Sequence, residues 1–199
     1  FAHAKAHAVL IDFTTSSPAL AKKLYTAAKA KGYAMLDAPV SGGDSGAKAA
    51  SLSIMTGGDE EVFEQMRPLF SLLGTGIQYM GEAGSGQHTK ACNQIAVAGA
   101  VAAMSEALVY ARAVGLDEQK MLTAIAKGAA GTAPRVLAND FAPGFYIKHF
   151  IKDMHIVQQE MEQQDVHLDM LEAVCNMYEA LAGIGEENNG TQALVHYYK

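Results

Sequence analysis

Gly81–Met104, GEAGSGQHTKACNQIAVAGAVAAM, divides the chain into two kinds of sequence. Gly81, Gly84 and Gly86 make a flexible entry to a helix that starts polar and becomes apolar and small-sided. Lys90 falls in its first two turns, with Asn93 and Gln94 three and four places on, so all three side chains share one face. The positive end of the helix dipole disfavours a charged lysine there, and burial acts in the same direction. Such a lysine can exchange a proton with a substrate oxygen, and two amides can orient that oxygen. Spacing alone leaves a second reading open, a solvated helix lysine beside ordinary polar neighbours.

Upstream, strand and helix signals alternate. Ala8–Phe13 is a short apolar run ending near Asp12 and reads as a buried parallel strand. Thr14–Pro18 is rich in capping residues, with Pro18 suited to a first helical turn. A helix is predicted over Ala19–Lys31, closed by Gly32. Strands follow at Tyr33–Pro39, Leu52–Met55 and Ile77–Met80. Asp59 is expected to cap a helix running to about Leu73, whose apolar residues keep helical spacing. Ser41-Gly42-Gly43 reads as a flexible turn. Downstream of Gly86 strand signals vanish, and helices are predicted over 87–114, 117–128, 133–140, 148–164, 167–182 and 190–198, punctuated by Gly115, Asp117 and Gly128. The fold class is therefore α/β: a layered strand–helix part over 1–85, then an all-helical part over 86–199.

Composition narrows the function. Net charge is −6 with no basic block, which argues against nucleic acid and anionic membranes as partners. Ile95–Met104 is about half of what a membrane span needs. Cys92 and Cys175 stand far apart in no CxxC spacing, which suggests reduced thiols in the cytoplasm. Gly81–Gly86 has the glycine spacing of a P-loop, but Gln87 stands where its lysine belongs. His3 and His7 lie four apart on a doubtful helix, and the other histidines form no metal-ligand pattern. The methionines read as core filling.

Three further stretches can carry chemistry, each with a bland alternative. Asp37-Ala-Pro-Val-Ser-Gly-Gly43 places Ser41, Gly42 and Gly43 after a strand end, where backbone N–H groups hold carboxylates or phosphates; it is equally a plain turn. The hydroxyls of Asp12–Pro18 can touch a ligand phosphate or ribose, or simply cap. Lys152-Asp153 reads as an ion-paired surface couple.

Taken in order, these stretches resemble the β-hydroxyacid dehydrogenase family, which includes 3-hydroxyisobutyrate dehydrogenase and tartronate semialdehyde reductase. DAPVSGGDSGAKAASLSIMTGG (37–58) is similar to its DAPVSGG signature, GSGQHTKACNQ (84–94) to its GxGxxxK motif, HFIKDM (149–154) to its KDL segment and IDFTTSSP (11–18) to its D-x-S-T segment. The resemblance implies a Rossmann-like cofactor domain, present here as its C-terminal part, and a helical domain that builds a homodimer or homotetramer. It implies NAD or NADP as cofactor and a short β-hydroxy acid as substrate. Lys90 would be the catalytic lysine. Ser41, Gly42 and Gly43, with Asn93 and Gln94, would bind substrate; Thr15 and Lys152 would meet the cofactor, and Asp153 would help fix the helix of Lys152.

There are departures. The family's opening βαβ unit with G-x-G-x-x-G is not among the 199 residues. The chain is therefore expected to be a fragment, inactive or nearly so by itself; the alternative is a non-catalytic helical dimerisation module. Ala50 stands where the family usually has glycine, Gln94 where some members have a second asparagine, and NNGTQAL (188–194) lacks an aspartate often found there.

Overall fold

The computed structural model describes residues 4–113, 115–125, 133–163 and 167–198. The readings placed on His3, Gly128 and the predicted helix ends at 114, 126–128 and 164 lie outside the described residues. The fold is mixed α/β, strands and helices first and helices alone after them. It divides into two compact units, Phe1–Asn93 and Gln94–Lys199.

In the first unit β1 (Val9–Asp12), α1 (Pro18–Lys29), β2 (Ala34–Asp37), β3 (Val40–Ser41), α2 (Gly43–Lys48), β4 (Leu52–Gly58), α3 (Glu60–Phe70) and β5 (Gly74–Gly81) follow in order. The start of α1 follows its sequence signals: Ser17 Oγ accepts from Leu20 N, and Pro18 opens the helix. β1 pairs parallel to β2, with Asp12 opposite Asp37, and β4 pairs parallel to β5. Between those pairs the direction reverses, because β2 and then β3 run antiparallel along β4. Pro39 stands at the break between β2 and β3, with no N–H to give to a ladder; its carbonyl still accepts from Met55 N at 3.0 Å.

Two elements replace the expected turn, the strand β3 and the short helix α2. α3 also differs from expectation. It ends at Phe70, and Asp59 sits at the N-cap position without a side-chain capping bond. Its carboxylate is taken instead by Tyr25 Oη at 2.6 Å and by Lys29 at 3.4 Å. The core of the unit lies on the sheet under α3. Phe63 and Phe70 are fully buried; Phe63 lies 5.4 Å from the Tyr79 ring, and Phe70 meets Phe13 edge-on at 6.0 Å.

The second unit holds most of α4 (Ser85–Ala113), then α5 (Glu118–Ile125), α6 (Ala133–Leu137), α7 (Ile147–Glu162), α8 (Asp169–Gly183) and a closing 3₁₀ segment, Thr191–Tyr198. One core joins Met104, Leu108, Leu122, Val136 and Val195. Tyr178 lies fully buried on α8 and donates to Thr191 O at 2.8 Å, which ties α8 to the 3₁₀ segment. Among the described residues no helix is long and apolar enough to cross a membrane.

Ala50 closes the turn after α2 with φ +51°, a left-handed backbone that costs an L side chain about 1–2 kcal/mol. Glycine carries no such penalty but loses more entropy on folding. Ala50→Gly is therefore expected to stabilise the chain by up to about 1 kcal/mol, read as a higher urea midpoint at unchanged slope. A lower midpoint would contradict this account of the turn.

Candidate active site

The first unit assembles its functional edge around Asp37, the last residue of β2. Asp37 is 3% exposed. Its Oδ1 accepts from Gly84 N at 2.8 Å and its Oδ2 from Gln87 N at 3.0 Å. These N–H groups belong to the entry and first turn of α4, where backbone donors have no partner within the helix. Gly84, immediately before α4, has no side chain to serve as a cap, so the strand end supplies one. A negative carboxylate at the positive end of the helix dipole is favourable in its own right. The approach leaves no space: a Cβ on Gly86 would run into Met55 O and stand 2.8 Å from Asp37 Oδ2.

Gln87 carries the network onward. It is 2% exposed; its Nε2 donates to Thr14 O at 2.9 Å and its Oε1 accepts from Ser16 N at 3.0 Å. The loop after β1 is thus gripped on both sides of Thr15. Asp12 folds the start of the same loop, accepting from Thr14 N at 2.9 Å and Thr14 Oγ1 at 2.7 Å. Since Asp12 and Asp37 are paired across parallel strands, both loops leave the same edge of the sheet, the carboxyl edge at which ligands bind in α/β folds.

Lys90 follows Gln87 by three residues on α4, and Asn93 follows Lys90 by three, so they continue along one helix face. Lys90 is buried, 7% exposed, and Asn93 is half-buried. Ser41 ends β3, pairing with Ser53 of β4. Gly42 and Gly43 lead into α2 with φ +129° and +62°, which only glycine adopts readily.

The remaining predicted residues belong to the helical unit. Gln94 is 2% exposed and donates through Nε2 to Asp153 Oδ2 at 2.6 Å. Lys152 Nζ lies 2.9 Å from Asp153 Oδ1. Asp153 is buried, so its charge is offset by an amide on one side and an ammonium on the other. Lys152 itself keeps half of its side chain exposed.

Comparison with known proteins identifies the family. Residues 84–198 match the family model for the NAD-binding domain of NADP-dependent 3-hydroxyisobutyrate dehydrogenase. Residues 1–84 match the NAD-binding domain of 6-phosphogluconate dehydrogenase. The chain belongs to the β-hydroxyacid dehydrogenase family. It is 52% identical to an uncharacterized oxidoreductase of Bacillus subtilis, YkwC, over 96% of this chain and 69% of that protein. It is 36% identical to 2-hydroxy-3-oxopropionate reductase of Escherichia coli, covering 94% of this chain and 66% of that protein. The structure of Mycobacterium tuberculosis 3-hydroxyisobutyrate dehydrogenase with L-serine superposes with a TM-score of 0.86 at 30% identity, over 100% of this chain and 72% of that one.

The cofactor of this family is NAD or NADP. The loop after β1 fits such a ligand. Ser16 Oγ is buried and has no hydrogen-bond partner among the described residues, and a buried hydroxyl of this kind marks a place where a ligand or water completes the bonding. Its backbone is already held by Gln87, so a ligand there would meet an ordered loop.

Asp37 and Gln87 were not among the residues singled out for a role from sequence. Asp37→Ala would leave the N–H groups of Gly84 and Gln87 buried without their acceptor, at about 1–3 kcal/mol each. A loss of roughly 2–4 kcal/mol in urea unfolding is expected, with Asp37→Asn losing less because one carbonyl acceptor remains. Equal stability of wild type and Asp37→Ala would show that the carboxylate does not hold the helix.

Proposed function

We propose that the protein catalyses NAD(P)-dependent interconversion of a short β-hydroxy acid and its carbonyl form, with a substrate of the 3-hydroxyisobutyrate or tartronate semialdehyde type. The observation that carries this reading is Lys90. It is an ionisable side chain, 7% exposed, on a helix whose start is pinned to the carboxyl edge of the sheet by Asp37. A solvated surface lysine would need neither the burial nor the rigid support, and burial of an ammonium is costly enough to call for a purpose.

In reduction, Lys90 donates a proton to the substrate carbonyl oxygen as that oxygen gains charge. In oxidation, its neutral amine takes the hydroxyl proton. NAD(P), when bound, supplies hydride acceptance or donation at the adjacent carbon. Ser41, Gly42 and Gly43 hold the substrate carboxylate with hydroxyl and backbone groups at the junction of β3 and α2. Asn93 orients the substrate from the face it shares with Lys90. Thr15 meets the cofactor from the loop that Gln87 clamps. In the helical unit, Gln94 and Lys152 keep the substrate and cofactor roles that the family motifs give them. Asp153 sets the geometry of both through its two contacts. Oligomerisation through the helical unit, as a dimer or tetramer, belongs to the same reading.

The test is turnover by the intact gene product, followed by nicotinamide absorbance with 3-hydroxyisobutyrate and tartronate semialdehyde and with both cofactors. Lys90→Ala is expected to lower kcat by about 10²–10⁴, the usual worth of a positioned acid–base group, while cofactor affinity measured by fluorescence stays within a few-fold. Undiminished turnover in that variant would overturn the assignment.

A further inference from the structure

Away from the residues described so far, three donor atoms of different chemistry meet on the helical unit. Helices α7 and α8 pack together through Phe150 and Tyr178, edge-on at 5.2 Å. On α8, Cys175 and Glu179 stand one turn apart and so project from the same face. His155 of α7 reaches them, its Nε2 2.6 Å from Glu179 Oε1. The imidazole nitrogen, the thiol sulfur and a carboxylate oxygen all lie within 4.8 Å of one another. We propose that His155, Cys175 and Glu179 form a binding site for a borderline divalent transition metal of the zinc class.

The donor set selects the metal. Nitrogen, sulfur and oxygen together suit zinc and its neighbours, whereas magnesium and calcium require oxygen ligands throughout. A tetrahedral ion with bonds of about 2.0–2.3 Å holds its donors roughly 3.3–3.8 Å apart. The imidazole and carboxylate would separate by about 1 Å and the thiol would move by at most a similar amount, movements that side-chain rotation can supply. Access is from solvent: His155 and Glu179 are 46% and 45% exposed, while Cys175, 1% exposed, forms the floor. Three protein ligands leave a fourth position for water.

Electrostatics set the pH dependence of binding. Burial and the neighbouring Glu179 push the Cys175 thiol up to about 11, because a thiolate there would add a second negative charge without a cation. A dication removes that penalty, as a coordinating thiol is deprotonated outright. The step balances simply: the sulfur–hydrogen bond breaks, its electron pair forms the sulfur–metal bond, and the proton leaves to buffer, with no change of oxidation state. Binding therefore tightens as pH rises towards the thiol's range.

The experiment is a cobalt(II) titration of the reduced chain in a Cys92→Ser background, so that the exposed Cys92 cannot contribute. The expected result is a near-ultraviolet thiolate-to-cobalt absorption band that zinc abolishes by competition. The band should be absent in Cys175→Ser and weakened about tenfold or more in His155→Ala. Circular dichroism establishes that each variant is folded; should Cys175→Ser unfold, the surface variant His155→Ala decides. Absence of the band, a band unchanged in His155→Ala, or cobalt binding without thiolate absorption would each overturn the proposal, leaving an ordinary interhelical histidine–glutamate pair above a buried thiol.

Discussion

The Asp37 carboxylate is the contact on which the first unit depends. A buried charge is costly unless its oxygens are satisfied, and here the partners are two N–H groups at the start of α4. Each group resolves the other's problem. The helix start needs acceptors and carries partial positive charge; the strand end carries an acceptor and negative charge. Charge-assisted bonds of this kind are stronger than neutral ones, so the junction is stiff as well as satisfied. Gln87 extends the stiffness to the loop after β1. One strand end, one helix start and one loop thus form a single hydrogen-bonded unit, and Lys90 lies one turn beyond it. A residue meant to transfer a proton to a fixed oxygen gains most from support of this kind, since errors of an ångström are costly in catalysis.

Much of this was legible in sequence because it is local. The capping hydroxyls before Pro18, the apolar runs of β1 and β2 and the spacing of α3 are short-range signals, and each yields the element expected of it. What was illegible is mostly non-local or very short. β3 spans Val40–Ser41 and α2 spans Gly43–Lys48, too brief for any periodicity to register. The antiparallel run of β2 and β3 along β4 follows from the reversal of the chain through α2, and hydrophobic pattern carries no strand direction. Asp59 shows the limit of a local rule. It occupies the expected capping position, yet Tyr25 and Lys29 from α1 offer its carboxylate better partners.

Asp37 and Gln87 were visible as letters but not as functions, because their partners are backbone groups far along the chain. Asp37 read as part of a signature and Gln87 as the residue that spoils a P-loop. One signal could have led to them: the first N–H groups of a long helix entered through Gly-Ser-Gly outnumber what the single Ser85 hydroxyl can cap, so further acceptors must come from elsewhere. An aspartate at the end of a neighbouring strand is the natural supplier.

The helical unit applies the same logic to Asp153. That carboxylate is buried too, and its partners are side chains rather than a helix end. Gln94 gives its amide nitrogen to one oxygen, and Lys152 sets an ammonium beside the other. The Gln94 amide reaches α7 in a 2.6 Å contact. Because the amide commits its nitrogen to a carboxylate, which can only accept, the orientation of the group is determined by charge and not left to rotation. An amide so anchored couples α4 to α7 within the helical unit, and both helices carry residues of the family's motifs.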